Sequence, residues 1–151
     1  MFDAVASLIG LRHSINYEAQ AAIELELIAD PDVEDAYDFP ILDSQIQIEP
    51  LLSQILKNLS HNLKKSVISA KFHNGLVKLA VETCKKIRDE RGVDTAALSG
   101  GVWQNRYLLT RTKHDLENAG FQVLIHSLVP ANDGGLSLGQ AVIANSQIRS
   151  E

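Results

Sequence analysis

The stretch Asp94–Leu109, DTAALSGGVWQNRYLL, constrains the fold of this chain more than any other. A short apolar run, Thr95–Leu98, leads into Ser-Gly-Gly, and helical spacing starts near Gln104 and continues to Gly120. A strand feeding a glycine turn and then a helix gathers backbone N–H groups at the turn and lets an anion approach them. A second glycine turn follows in PANDGGLSLGQA, where Asp133 precedes Gly134-Gly135. Between the turns, Phe121–His126 (FQVLIH) reads as a strand. After the second turn, Leu136–Gln147 reads as a helix packing Leu136, Leu138, Ala141, Val142 and Ala144. The order is β–turn–α–β–turn–α. A right-handed crossover pairs such strands in parallel and brings both turns to one carboxyl edge of the sheet. Glycine pairs also serve merely to make tight corners, so this pattern alone leaves phosphate binding and simple turning both open.

The preceding residues, 1–92, read as mainly helical with one short strand pair. Phe2–Leu11 sets Phe2, Val5, Ala6, Ile9 and Leu8 on one helical face that stops at Gly10. Asp3 lies in its first turn, where a carboxylate complements the helix dipole. The face begins at the second residue with no lead-in, as in a chain entered in mid-domain. Tyr17–Asp30 is a second helix, ended by Asp30-Pro31. An acidic loop, Pro31–Phe39, then leads to strands at Tyr37–Leu42 and Gln45–Ile48 around Asp43-Ser44, with Ile46 and Ile48 expected to be half-buried. A helix starts at Glu49-Pro50 with the face Leu51, Leu52, Ile55, Leu56 and Leu59. Lys64–Gly92 is one long helix or two abutting ones, and Gly75 within it marks a close approach of backbones. His73 has no His, Cys or carboxylate four residues away, which favours a hydrogen-bonded structural histidine over a metal ligand.

The function classes narrow by exclusion. A net charge of −5 argues against a general nucleic-acid binder, which shows a basic face. The single cysteine, Cys84, allows no intrachain disulfide, is consistent with a reducing cytoplasm, and is expected as a small buried hydrophobe. No run of 18 apolar residues is present to span a membrane, and the start of the chain has no basic n-region of a signal peptide. There is no G-x-x-x-x-G-K-S/T, G-x-G-x-x-G or G-x-S-x-G motif. Ser99 has neither an elbow pattern nor an obvious paired histidine, since His13, His61, His114 and His126 are scattered. What remains is the composite edge. Amides of Gly100 and Gly101 suit phosphate, the Asn105 side chain suits a hydroxyl or a base edge, and Asp133 suits a divalent metal bridging that phosphate. The alternative for Asp133 is a turn or helix cap, with Asn132 an equal competitor for that task.

ALSGGVWQNRYLL followed by VPANDGGLSLGQAVIA resembles the C-terminal end of the HypF carbamoyltransferases of nickel–iron hydrogenase maturation. FDAVASLIGL, INYEAQAAIELE and SAKFHNGL resemble the part of HypF shortly before it, so the likeness spans nearly the whole chain and is least at Pro31–Gln47. It is shared more distantly with the TsaD threonylcarbamoyl transferases that modify tRNA, and with actin-like and sugar-kinase ATPases. The resemblance implies an α/β, ribonuclease-H-like lobe of the actin-like ATPase superfamily, with added helices and a mixed sheet flanked by helices. All 151 residues would form one domain, the second lobe of a Kae-like carbamoyltransferase domain.

By motif, Asp3 matches a carboxylate near the nucleotide ribose, and Glu18 in YEAQ falls in the adjoining loop, where TsaD-like proteins carry glycines. Gly100 and Gly101 match the phosphate turn, Asn105 a nucleoside contact, and Asp133 a ligand of the active-site metal. The implied reaction takes carbamoyl phosphate and ATP to a carbamoyl-adenylate and passes the carbamoyl group to a C-terminal cysteine thiol of HypE. This lobe would hold the AMP portion and one side of a divalent metal. The other metal ligands would come from a first Kae-like lobe among the remaining HypF domains, so the isolated chain is expected to be inactive. A non-catalytic interaction module of the same fold, a TsaD-like tRNA-modifying lobe and a sugar-kinase-like ATPase lobe stay open. Nucleotide affinity and carbamoyl-phosphate dependence separate these readings.

Overall fold

The computed structural model describes residues 1–43 and 45–148; Ser44, in the turn expected at Asp43-Ser44, and residues 149–151 lie outside the described residues. In chain order the elements are α1 (Phe2–Leu8), α2 (Gln20–Leu27), β1 (Ile41–Leu42), β2 (Gln45–Ile46), α3 (Glu49–Ser60) and α4 (Lys65–Arg91). They are followed by β3 (Thr95–Leu98), a 3-10 turn at Gly101–Gln104, α5 (Arg106–Asn118), β4 (Gln122–Ile125), a 3-10 turn at Asp133–Gly135, and α6 (Leu136–Ile148). The chain divides into two compact units, Met1–Thr83 and Cys84–Glu151.

The first unit is built on helices. Its core is formed by Val5 and Ala6 of α1 and Ile9 at its end, Ala21 and Leu25 of α2, Tyr37 and Phe39, Leu51 and Ile55 of α3, and Ile68 and Phe72 of α4. Leu25, Leu51, Ile55 and Ile68 are wholly removed from water, each contributing on the order of 2 kcal/mol of hydrophobic stabilisation. Phe2 sets its ring edge-on to Phe72 at 5.1 Å, an arrangement that matches the ring quadrupoles. The α4 pattern resolves into a single helix. A Cβ at Gly75 would fall 2.7 Å from Phe39 Cε2 and against the Tyr37 carbonyl oxygen, so only glycine admits this crossing.

That crossing explains why the acidic segment is not a free loop. Tyr37 N–H donates to Lys71 O at 3.0 Å, and the Asn74 carboxamide donates to Val33 O and Asp35 O. Tyr37 and Phe39 are therefore anchored on α4, and the strand expected from Tyr37 begins only at Ile41. β1 and β2 form an antiparallel hairpin with Ile41 opposite Ile46. Ile46 and Ile48, expected half-buried, are exposed, as are Leu52 and Leu56 of α3. No surface among the described residues covers them. His73 is fully buried and bonds Ser69 O through Nδ1 at 2.8 Å. Burial holds its pKa below the ordinary value, as a structural histidine requires.

In the second unit β3 and β4 pair in parallel, Thr95 opposite Gln122 through Leu98 opposite Ile125. Alternate residues of β3, Ala96 and Leu98, are buried, together with Leu108 and Leu116 of α5 and with Phe121. The Arg88 guanidinium lies over the Phe121 ring at 4.4 Å and donates to Ala119 O at 2.7 Å, fixing the entry into β4. The strands thus form two separate two-stranded sheets among the described residues, where one mixed sheet was expected. α6 departs further: Leu136, Leu138, Ala141, Val142 and Ala144, expected in the core, are all exposed. The helix is rich in apolar residues, and none of its described residues is buried.

Candidate functional site

The two glycine turns meet. Gly100 N–H donates to Ala131 O at 2.9 Å, and a Cβ on Gly101 would lie 3.9 Å from Asn132 Cβ. The parallel register carries both strands to the same carboxyl edge, as expected of a β–turn–α–β–turn–α order with a right-handed crossover. Gly100 has φ +105° and ψ 161°, a region in which side chains other than glycine's are strained. Its amide is committed to joining the turns, whereas the Gly101 amide has no acceptor among the described residues. A 3-10 turn rather than the first turn of α5 occupies Gly101–Gln104, and α5 begins at Arg106. Asn105 caps it, Oδ1 accepting from Leu108 N–H at 2.9 Å. Capping by itself rationalises an asparagine here.

At the second turn the competition between Asn132 and Asp133 has a clear outcome. Asn132 Oδ1 accepts from Gly134 N–H at 3.1 Å and caps the 3-10 turn. Asp133 is exposed, in the first turn of that element, and the cap does not need its carboxylate. Among the described residues no three His, Cys, Asp or Glu side chains converge on a metal-sized site. A hard divalent cation takes six or more oxygen ligands, so this donor set does not by itself fit a metal.

Asp3 and Glu18 belong to the first unit, and Gly100, Gly101, Asn105 and Asp133 to the second. Both are exposed, Asp3 on the first turn of α1 and Glu18 in the turn before α2. That turn is braced. Arg12 donates to both carboxylate oxygens of Glu24, at 2.8 and 2.5 Å, and buried Gln20 accepts from Asn16 N–H while donating to Glu24 Oε1. The Arg12 hydrogen bonds hold the Glu24 carboxyl below the usual carboxylate range. Ala19 takes the left-handed conformation, φ +61°, which L residues adopt at a cost.

Sequence reasoning missed one pair. Ser99 Oγ lies 2.8 Å from His126 Nε2, so the serine has a paired histidine after all. The signal was present in the strands: each residue directly follows its strand, and parallel register sets the two side by side. Cys84 is only partly buried, and burial pushes its thiol pKa up, which disfavours the thiolate. No helix of the described residues is long and apolar enough to cross a membrane.

A parallel βαβ edge holding two joined glycine turns makes the second unit an α/β arrangement. The family described as carbamoyltransferase, Kae1-like domain, second subdomain, matches residues 1–140. The chain belongs to this HypF carbamoyltransferase family. It is 36% identical to the carbamoyltransferase HypF of Synechocystis sp., over 99% of this chain and 19% of that protein. A crystal structure of full-length HypF in the phosphate- and nucleotide-bound form superposes with a TM-score of 0.88 and 45% identity, over 97% of this chain and 20% of the other. HypF of T. kodakarensis superposes at 0.84 with 25% identity, over 99% of this chain and 20% of the other. The chain therefore spans about one fifth of the length of these relatives.

Proposed function

We propose that this chain is the nucleotide-holding second lobe of a HypF-type carbamoyltransferase domain, of ribonuclease-H-like, actin-like ATPase descent. The observation that carries this reading is the Gly100 N–H to Ala131 O hydrogen bond, which joins the two glycine turns at one sheet edge. It leaves the Gly101 amide for an anion, and amides at the start of a helical turn favour phosphate. One family match running over residues 1–140 supports treating both units as parts of a single lobe. Asp3 and Glu18 would serve the ribose side, Asn105 the nucleoside, and the Gly100–Gly101 turn the phosphate of ATP or AMP. Asp133 would give one carboxylate to a divalent metal whose other ligands lie outside this sequence.

In this reading carbamoyl phosphate is hydrolysed to carbamate and inorganic phosphate, and the carbamate oxygen displaces pyrophosphate from the α-phosphorus of ATP to give carbamoyl-adenylate. The carbamoyl carbon is then attacked by the C-terminal cysteine thiolate of HypE, and AMP leaves. The lobe contributes orientation and neutralisation of phosphate charge. The remaining HypF domains supply the rest of the cleft, and the setting is cytoplasmic. A second reading, a non-catalytic interaction fragment, draws on the apolar surface that α6 leaves exposed.

Replacing the corresponding subdomain of a full-length HypF relative with this chain tests the first reading. Pyrophosphate release that depends on carbamoyl phosphate is the expected result. A folded chimera that releases none, or releases it regardless of carbamoyl phosphate, contradicts it.

A further inference from the structure

The parallel register of β3 and β4 ends with Leu98 opposite Ile125, and each strand runs on by one residue into a polar side chain. Those side chains meet, Ser99 Oγ lying 2.8 Å from His126 Nε2. Both residues are exposed. Ser99 directly precedes Gly100, whose amide is tied to Ala131 O. The pair therefore stands beside the joined turns. An exposed hydroxyl–imidazole bond adds little to stability, because water serves both groups nearly as well. Folding does not call for this pair.

We propose that the Ser99 hydroxyl is a phosphate donor of the glycine turn and that His126 is its positioning residue. This rests on the reading of the turn as a nucleotide site. With the proton on Nε2, the imidazole donates to Oγ, and the hydroxyl proton is directed away from the ring. It then donates to a phosphoryl oxygen, alongside the Gly101 amide. Hydrogen bonds in such a chain polarise one another, so the hydroxyl donates more strongly than serine alone. Without the imidazole the hydroxyl rotates freely and its donation is shared with water. The ligand class is a nucleoside monophosphate or its acyl ester, in which one phosphoryl group sits at the turn.

Calorimetric titration with AMP and, separately, adenosine tests the pair in this chain and in Ser99→Ala, His126→Ala, the double variant and His126→Gln. The parent chain is expected to prefer AMP. Ser99→Ala and His126→Ala should each weaken AMP binding about tenfold, the double variant no further, with adenosine binding unchanged. His126→Gln keeps an N–H donor and should restore most of the loss. Equal weakening of adenosine, additive losses, or unaltered AMP binding in the variants overturns the pair while the nucleotide site stands. A parent chain with no preference for AMP overturns the site itself, and the pair with it.

Discussion

The amide of Gly100 and the carbonyl of Ala131 are joined at 2.9 Å, and this one bond, between residues 31 positions apart in the chain, makes a composite edge from two turns. It depends on a backbone conformation at Gly100, φ +105° and ψ 161°, that only glycine adopts readily. Gly100→Ala has open space for its methyl group, so strain alone should decide its effect. A loss of about 2 kcal/mol in denaturant unfolding is expected. Stability within error of the parent contradicts this assignment.

Asn132 and Asp133 should separate cleanly. Asn132 caps the second turn, so Asn132→Ala should cost on the order of 1 kcal/mol. Asp133 is exposed, and Asp133→Ala should change stability by less than about 0.5 kcal/mol. Unfolding curves of the two variants check both values. A reversed order would assign the structural task to Asp133 and remove it as a candidate ligand.

What the sequence revealed and what it hid have physical causes. β3 was legible because a short, mostly apolar run ends in Ser-Gly-Gly, and the parallel pairing followed from the intervening helix. The Gly75 approach was legible because glycine inside a helical pattern has few other uses. α6 was misjudged because its apolar residues imply a covering surface that the described residues do not supply. Ile46 and Ile48 failed for the same reason. The Ser99–His126 pair was hidden because the histidine lies 27 positions away in sequence, and only the register brings it near.

Thr112 is buried, and its hydroxyl has no hydrogen-bond partner among the described residues. An unmet buried hydroxyl costs roughly 1–3 kcal/mol, and valine has a similar shape and helix propensity. Thr112→Val should therefore stabilise the chain by about 1 kcal/mol, raising Tm by about 3 °C. A lower Tm would mean that the hydroxyl is satisfied in solution.

His73 makes stability depend on pH. Burial lowers its folded pKa from the ordinary 6.5. Between the folded value and 6.5 the unfolded chain binds the extra proton, so stability is fully present above 6.5 and is lost as pH falls below it. Glu24, lowered from 4.5, acts only in more acid solution. The denaturation midpoint should fall between about pH 7.5 and about pH 5.5, and His73→Gln should flatten that change. A parent midpoint that is the same at both pH values contradicts the buried neutral imidazole.

The nucleotide reading is tested most directly by amide NMR spectra of the chain during titration with AMP and then ATP, with and without magnesium. Shifts centred on Gly100, Gly101, Asn105 and the Asp133 turn are expected, because these residues occupy the edge that the Gly100–Ala131 bond assembles. Spectra of a folded chain that do not change, or shifts confined to other residues, would contradict it.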